Sequence, residues 1–366
     1  MHEALTSIPC RREIIRAHKE SGGRVAAVLP IHYPRALFRA FQILPVELWG
    51  PPEIDPQYSK AHLQPYVCPL VHNALSYITG PESEVFDLVA VPHTCDSLQG
   101  LCSILTDLIL PRQPVFPIYL PRGRRESDAQ FLANEFHALY RKLEALTSLS
   151  PSEDEVMACI LREEDADEVL AELNRKRKFL PLCQRDFYHL LRSREYLPAE
   201  RFCELAKSFL AKAENESRDK GLPIILSGIV PEPMSLFEFI ERAGGVVVAD
   251  DLACCGRRLY GPGEDNDVFR RMAKSILSAP PDSTRGSSIQ ERADHMVRMV
   301  KMSGAKAVLF YCMKFCEPEL FGHPPLRDEL NKINIPTLVI ESELSEASLN
   351  PSVGSLELFL ETILCG

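Results

Sequence analysis

The sequence contains no apolar run approaching the ~18 residues that a membrane-spanning helix needs, no Cys-x2-Cys pair, and neither a GxxxxGK[ST] loop nor a GxGxxG turn after a strand. The first absence argues against a helical membrane span. The second removes the compact spacings of zinc ribbons and ferredoxins, so any metal site must be assembled by the fold. The third leaves no local phosphate cradle, so ATP or a dinucleotide would have to be handled by another protein. A clustered basic surface is also missing. The net charge is -10, and the basic runs at 122–125 and 174–178 are short enough to read as solvated faces, which argues against nucleic acid as a partner. The first thirty residues lack the uninterrupted apolar core of a secretory signal, so a cytoplasmic protein is expected.

What is present suits a soluble two-domain protein. At 366 residues, 45% hydrophobic and 25% charged, the chain exceeds the usual size of one core. Its twelve cysteines, in a reducing compartment, are not a disulfide framework and must serve buried packing, redox chemistry or metal.

The chain alternates strand and helix at both ends. RVAAVLPI (24–31) reads as a strand, PRALFRAFQIL (34–44) as a helix opened by proline, and PVELWG (45–50) as a second strand. After a polar loop, Cys68-Pro69 opens a helix. VFDLVAVP (85–92) is a strand that Pro92 should stop, and Cys95 sits on the turn into the next helix. Residues 127–213 are almost all helical, with Ser152 and Glu155 spaced as a capping box and Cys159, Cys183 and Cys203 expected to pack in the core. Alternation resumes with LPIILSG, GGVVVADD, AKAVLFYC and IPTLVIE. The expected fold is α/β: two doubly wound, flavodoxin- or Rossmann-like parallel-sheet domains over 1–150 and 221–366, joined by a helical block over 151–220.

Cysteines fall repeatedly where such folds bind ligands, at strand ends and helix starts. Cys68, Cys95, the pair Cys254 and Cys255, and Cys312 with Cys316 all occupy such places. Several thiols around one cleft would suit an iron-sulfur cluster, whose ligands are thiolates held by turns. Two other readings compete: ordinary packing, and a nucleophilic Cys95 with His93 as base. The second lacks the glycines of a nucleophile elbow, and His93 two residues away on an extended turn would point elsewhere.

Several stretches, in order and at fitting distances, resemble the 2-hydroxyacyl-CoA dehydratase and benzoyl-CoA reductase (D-component) family: YPRALFRAFQILPVELWG, Cys68-Pro69, PHTCDSL, NRKRKFL, GGVVVADDLACCGRR, FYCMKFCEPELFGHPPLRDEL and IPTLVIESELS before a terminal LELFLE. The resemblance covers nearly the whole chain. It implies two similar subunits, each with a 4Fe-4S cluster on three cysteines, an ATP-hydrolysing activator that injects single electrons, and a CoA thioester substrate. By motif the implied ligands are Cys68, Cys95 and Cys316, with Cys254 and Cys255 in reserve because the Asp-Asp-Leu stretch of relatives often carries a cysteine; that stretch is one residue longer here. Where substrate-binding relatives carry Glu and Gly, this chain has Ala36 and Gln42, and where they carry Thr-Arg it has Gly354 and Ser355. Those departures suggest an electron-relaying subunit. Alternatives are a homodimeric double-cubane reductase of the same family or a cluster-free scaffold homologue.

Overall fold

The computed structural model describes residues 8–49, 57–216 and 220–365. Two four-stranded sheets form, both parallel throughout. The first holds β1 (Arg24–Val28), β2 (Ile43–Glu47), β3 (Leu88–His93) and β4 (Val115–Tyr119) in the order β2-β1-β3-β4. The second holds β5 (Leu222–Gly228), β6 (Gly245–Leu252), β7 (Ala307–Met313) and β8 (Thr337–Ser342) in the equivalent order β6-β5-β7-β8. Central strands such as RVAAV and AVLFYCM are apolar almost without interruption because helices cover both their faces. In each sheet the order reverses beside the first strand. The carboxyl ends of β1 and β3, and of β5 and β7, therefore flank the crevice in which doubly wound sheets bind ligands.

Two boundaries differ from the sequence expectation. The helix after Pro34 covers only Arg35–Ala40, and β2 begins at Ile43 rather than Pro45, because Gln42 turns left-handed at φ 58° and ends the helix. Pro92 does not stop β3, which runs on to pair Pro92 with Ile118 and His93 with Tyr119. The Val89 amide donates toward β4, to Pro114, so by alternation the missing amide of Pro92 faces β1. There β1 has already ended its pairing at Ala90, and no ladder hydrogen bond is lost.

Two long helices follow the first sheet. Glu126–Thr147 buries Ala129, Leu132, Ala133, Phe136, Leu139 and Leu143, a spacing of three and four that lays one stripe on the sheet. Glu153–Lys176 starts at the expected capping box, with Ser152 and Glu155 exchanging side-chain and amide hydrogen bonds. Its first half (Val156, Cys159, Ile160) packs in the core of the first sheet, and its second half (Ala166, Val169, Leu170, Leu173) in the core that continues into the second. Helix Val268–Leu277, late in the chain, returns to the first core through Met272, Ala273 and Ile276. The consequence is a seam where the carboxyl ends of both sheets meet. Cys159 is buried, as expected of core packing, while Cys183 and Cys203 are half-buried.

Candidate functional site

At that seam lies an apolar cleft with about 620 Å³ of empty space, counting its open mouth. Its walls come from the ends of six strands: Leu29 to Ile31 after β1, Leu48 and Trp49 after β2, Thr94 and Cys95 after β3, Ile229 after β5, Ala253 after β6, and Cys316 beyond β7. Cys68 completes it. The three cysteines indicated by the sequence thus line one cavity although they are far apart in the chain.

Each of the three is the residue just before a helix. Cys68 precedes Pro69–Thr79, Cys95 precedes Asp96–Ser103, and Cys316 precedes the short turn Glu317–Leu320. This position explains the residues that follow them. Proline in the first turn forfeits no helical hydrogen bond, and an acidic side chain there suits the positive end of the peptide dipoles. The same unpaired amides favour a thiolate. The Cys68 thiol is pulled below its ordinary value chiefly by a hydrogen bond from Cys316, with smaller help from the Leu70 and Val71 amides against the opposing effect of burial. Cys316 is pushed up correspondingly, first by its bond to Cys68 and then by burial. Burial pushes Cys95 up to about 11, with Cys68 and Asp282 adding in the same direction.

Among the described residues no Asp, Glu or His lines the cleft, and the oxygen-bearing side chains there are Thr94, Ser97 and Thr284. Among the described residues no three His, Cys, Asp or Glu side chains converge closely enough to hold a single metal ion. The sulfurs frame a space instead of a point. Such a donor set, all soft sulfur and walled by apolar residues, fits an iron-sulfur cluster, which spreads its thiolates over separate irons, and does not fit a hard cation.

The remaining cysteines stand apart. Cys254 and Cys255 are buried with sulfurs 3.4 Å apart, and it is their neighbour Ala253 that reaches the cleft. Burial holds Cys255 well above its ordinary value. Cys312 is enclosed in β7 and donates to the Met313 carbonyl. His93 packs edge-on against Tyr119, with ring centres 4.6 Å apart and its Nε2 buried without a partner, so it does not serve Cys95 as a base. Ala36, Gln42, Gly354 and Ser355 all lie outside the cleft, the last three of them exposed.

Beneath the cleft runs a buried ionic network that the sequence reading missed. Glu47, fully buried at the end of β2, accepts from Arg258, Arg35, Tyr33 and Trp49. Arg257 donates to Asp251, Asp282 and Glu319, and Arg292 also reaches Glu319. Burial alone would raise the Glu47 carboxyl, but the Arg258 and Arg35 guanidinium groups hold it down at about 2. Pairs such as Arg258–Glu47 and His32–Asp282 tie the first sheet to the second, so the cleft between them is held in register. The backbone is strained at the same place, where Ile31 and His32 are both left-handed (φ 51° and 61°), a conformation costly for β-branched isoleucine. Asp250-Asp251 followed seven residues later by Arg257-Arg258 in ADDLACCGRR was the available signal, since charges at the end of a buried strand must find partners.

Comparison with known proteins agrees with this architecture. The model of the family described as 2-hydroxyglutaryl-CoA dehydratase, D-component, matches residues 30–363. The beta subunit of (R)-phenyllactyl-CoA dehydratase from Clostridium sporogenes is 20% identical over 96% of this chain and 95% of its own length. One of the subunits of benzoyl-CoA reductase from Thauera aromatica is 23% identical, covering 90% and 88%. The beta subunit of (R)-2-hydroxyglutaryl-CoA dehydratase from Acidaminococcus fermentans is 22% identical, covering 96% of each. With this match along nearly its whole length, the chain belongs to the 2-hydroxyglutaryl-CoA dehydratase D-component family.

Proposed function

We propose that this chain is the iron-sulfur subunit of an acyl-CoA-processing enzyme of the dehydratase or benzoyl-CoA reductase type, holding a 4Fe-4S cluster on Cys68, Cys95 and Cys316 and relaying single electrons. The observation that carries this is the convergence of three pre-helical thiols, from three separate segments, on one apolar cleft whose described lining residues include no His, Asp or Glu. A thiolate-bound cluster supplies low-potential one-electron transfer, which a thioester needs before an unactivated C–H bond is broken or an aromatic ring accepts an electron. The chain's own part is to set the three sulfurs around one space from three helix starts and to exclude water with Ile31, Trp49, Leu98 and Ile229.

The relatives are subunits of larger enzymes, which supports a homologous second subunit, or a second copy, as partner. The family resemblance implies an ATP-hydrolysing activator as the electron source, and this sequence has no nucleotide loop of its own. All twelve cysteines are free thiols and no described helix is long and apolar enough to cross a membrane, which supports a cytoplasmic location.

Anaerobic reconstitution tests the proposal. About four irons per chain and a brown chromophore are expected, lost in Cys68→Ser, Cys95→Ser and Cys316→Ser but retained in Cys254→Ser. A wild-type chain that takes up no iron while those three thiols remain open to alkylation would instead mark a cluster-free homologue.

A further inference from the structure

Behind the wall of the cysteine cleft, a buried line of hydrogen bonds connects it to a second cavity. Tyr260 lines that outer cavity with Tyr33, Arg35, Glu163 and Arg258, and also its neighbouring mouth at Glu164 and Asp165. The Tyr260 hydroxyl lies 3.3 Å from His32 Nδ1, and His32 Nε2 lies 3.1 Å from Asp282 Oδ2. The other Asp282 oxygen accepts from the Thr284 hydroxyl at 2.9 Å and from the Thr284 amide at 2.8 Å. Thr284 is part of the cleft that holds Cys68, Cys95 and Cys316.

The protons along this line are set by chemistry. An ionised carboxylate can only accept, so His32 carries its proton on Nε2, and a neutral ring then leaves Nδ1 bare to take the Tyr260 O–H. Burial is the largest influence on His32 and keeps the ring neutral against the pull of Asp282, with Arg285 and Arg258 acting in the same sense as burial. Burial would also protonate Asp282, but the His32 hydrogen bond and the Arg257 charge keep it ionised. The left-handed backbone at His32 is part of the arrangement, because it lets the His32 amide donate to the same Tyr260 oxygen at 3.2 Å and so aligns the ring. A bond made only to hold the sheets together would not need its two ends to open into different cavities.

We propose that Tyr260, His32, Asp282 and Thr284 form a proton relay between the outer cavity and the cysteine cleft, so that a proton can accompany an electron delivered there by a one-electron reductant. Tyr260 gives its proton to His32 Nδ1 as Nε2 passes one to Asp282. The Asp282 carboxyl then turns to carry that proton from Oδ2 to the Thr284 oxygen, the Thr284 hydroxyl rotates its own proton away from Asp282 and releases it into the cleft, and Tyr260 is reprotonated from water. Each group gives one proton and takes one. The destination rests on the cluster assignment proposed for the three cysteines, whereas the relay itself does not.

Two measurements separate these. In the metal-free chain, nitrogen-15 NMR of His32 should show the neutral Nε2–H form, with that proton exchanging with water at least tenfold more slowly in both Tyr260→Phe and Thr284→Val, substitutions that spare the buried ion pair. An Nδ1–H ring, or exchange unchanged in both variants, overturns the relay whether or not the chain binds iron. In the reconstituted chain, stopped-flow reduction by dithionite with a pH indicator should show proton uptake approaching one per electron, slowed at least tenfold in the same two variants. Reduction without proton uptake in a chain that does hold iron overturns the relay's destination and leaves the cluster assignment standing.

Discussion

Replacing Glu47 by glutamine would remove the charge on which the seam between the sheets is centred. Glu47 Oε1 accepts from Arg258 and Arg35 at 2.5 Å and from Tyr33 at 3.0 Å, and Oε2 accepts from Trp49 at 2.8 Å and Arg258 at 3.1 Å. Glutamine keeps the shape but turns one acceptor into a donor, and whichever way the amide is flipped that donor meets other donors. Breaking a buried ion pair by neutralising one partner costs about 3–5 kcal/mol. The ionisation of the group gives an independent figure. Its carboxyl is held from an ordinary 4.5 down to about 2, which corresponds to roughly 3 kcal/mol of stability. Because the folded value is the depressed one, this contribution is fully present above about pH 4.5 and is lost as the pH falls toward 2. Urea unfolding followed by circular dichroism should therefore show Glu47→Gln less stable by about 3–5 kcal/mol at pH 7 with an unchanged denaturant slope. The gap should narrow as the pH is lowered. Adding Arg258→Met should recover part of the loss, a coupling of about 0.5–3 kcal/mol. A cost under about 1 kcal/mol at pH 7, the worth of an exposed pair, or a gap that does not change with acid, would refute the view that this buried charge holds the two sheets together.

Other expectations bear on the cleft and its frame. In the metal-free chain Cys316→Ala should move the alkylation profile of Cys68 to higher pH, since the Cys316 hydrogen bond is the main influence holding that thiol down and burial then prevails; a profile that stays put would separate the two thiols. Gly228→Ala should cost about 1–3 kcal/mol by overpacking, because an added Cβ would lie 2.1 Å from the Tyr311 carbonyl oxygen where β5 and β7 meet, and an unchanged melting temperature would argue against so close an approach. Ser152→Ala should cost about 1 kcal/mol, with Ser152→Asp restoring most of it; the hydroxyl accepts from the Glu155 amide at the start of the longest helix.

Much of the local structure was readable from the residues because its causes are local. Runs such as LPIILSG and AKAVLFYC are long enough, apolar enough and sufficiently β-branched or aromatic to read as buried parallel strands. The Ser152–Glu155 spacing placed a helix start correctly. The exceptions were decided by neighbours. Pro92 could stay in β3 only because β1 had already stopped pairing beside it, a fact about a strand sixty residues earlier. The helix at Arg35–Ala40 is shorter than its pattern suggests for another reason, since the periodicity runs on through residues whose backbone turns left-handed at Gln42.

The sequence by itself determined the α/β alternation and the family, and through that family resemblance it indicated which three cysteines to watch. Only the tertiary structure decided that Cys68, Cys95 and Cys316 face one cleft while Cys254 and Cys255 do not, although all five looked alike at strand ends. It also decided that Glu47 meets Arg258 and that His32 meets Asp282 across more than two hundred residues of chain. The physical reason is the same in both cases. That a segment forms a strand is written in the nearby residues, but what its last side chains meet depends on how two separately built sheets dock, and that docking is fixed by buried charges whose partners no local pattern can name.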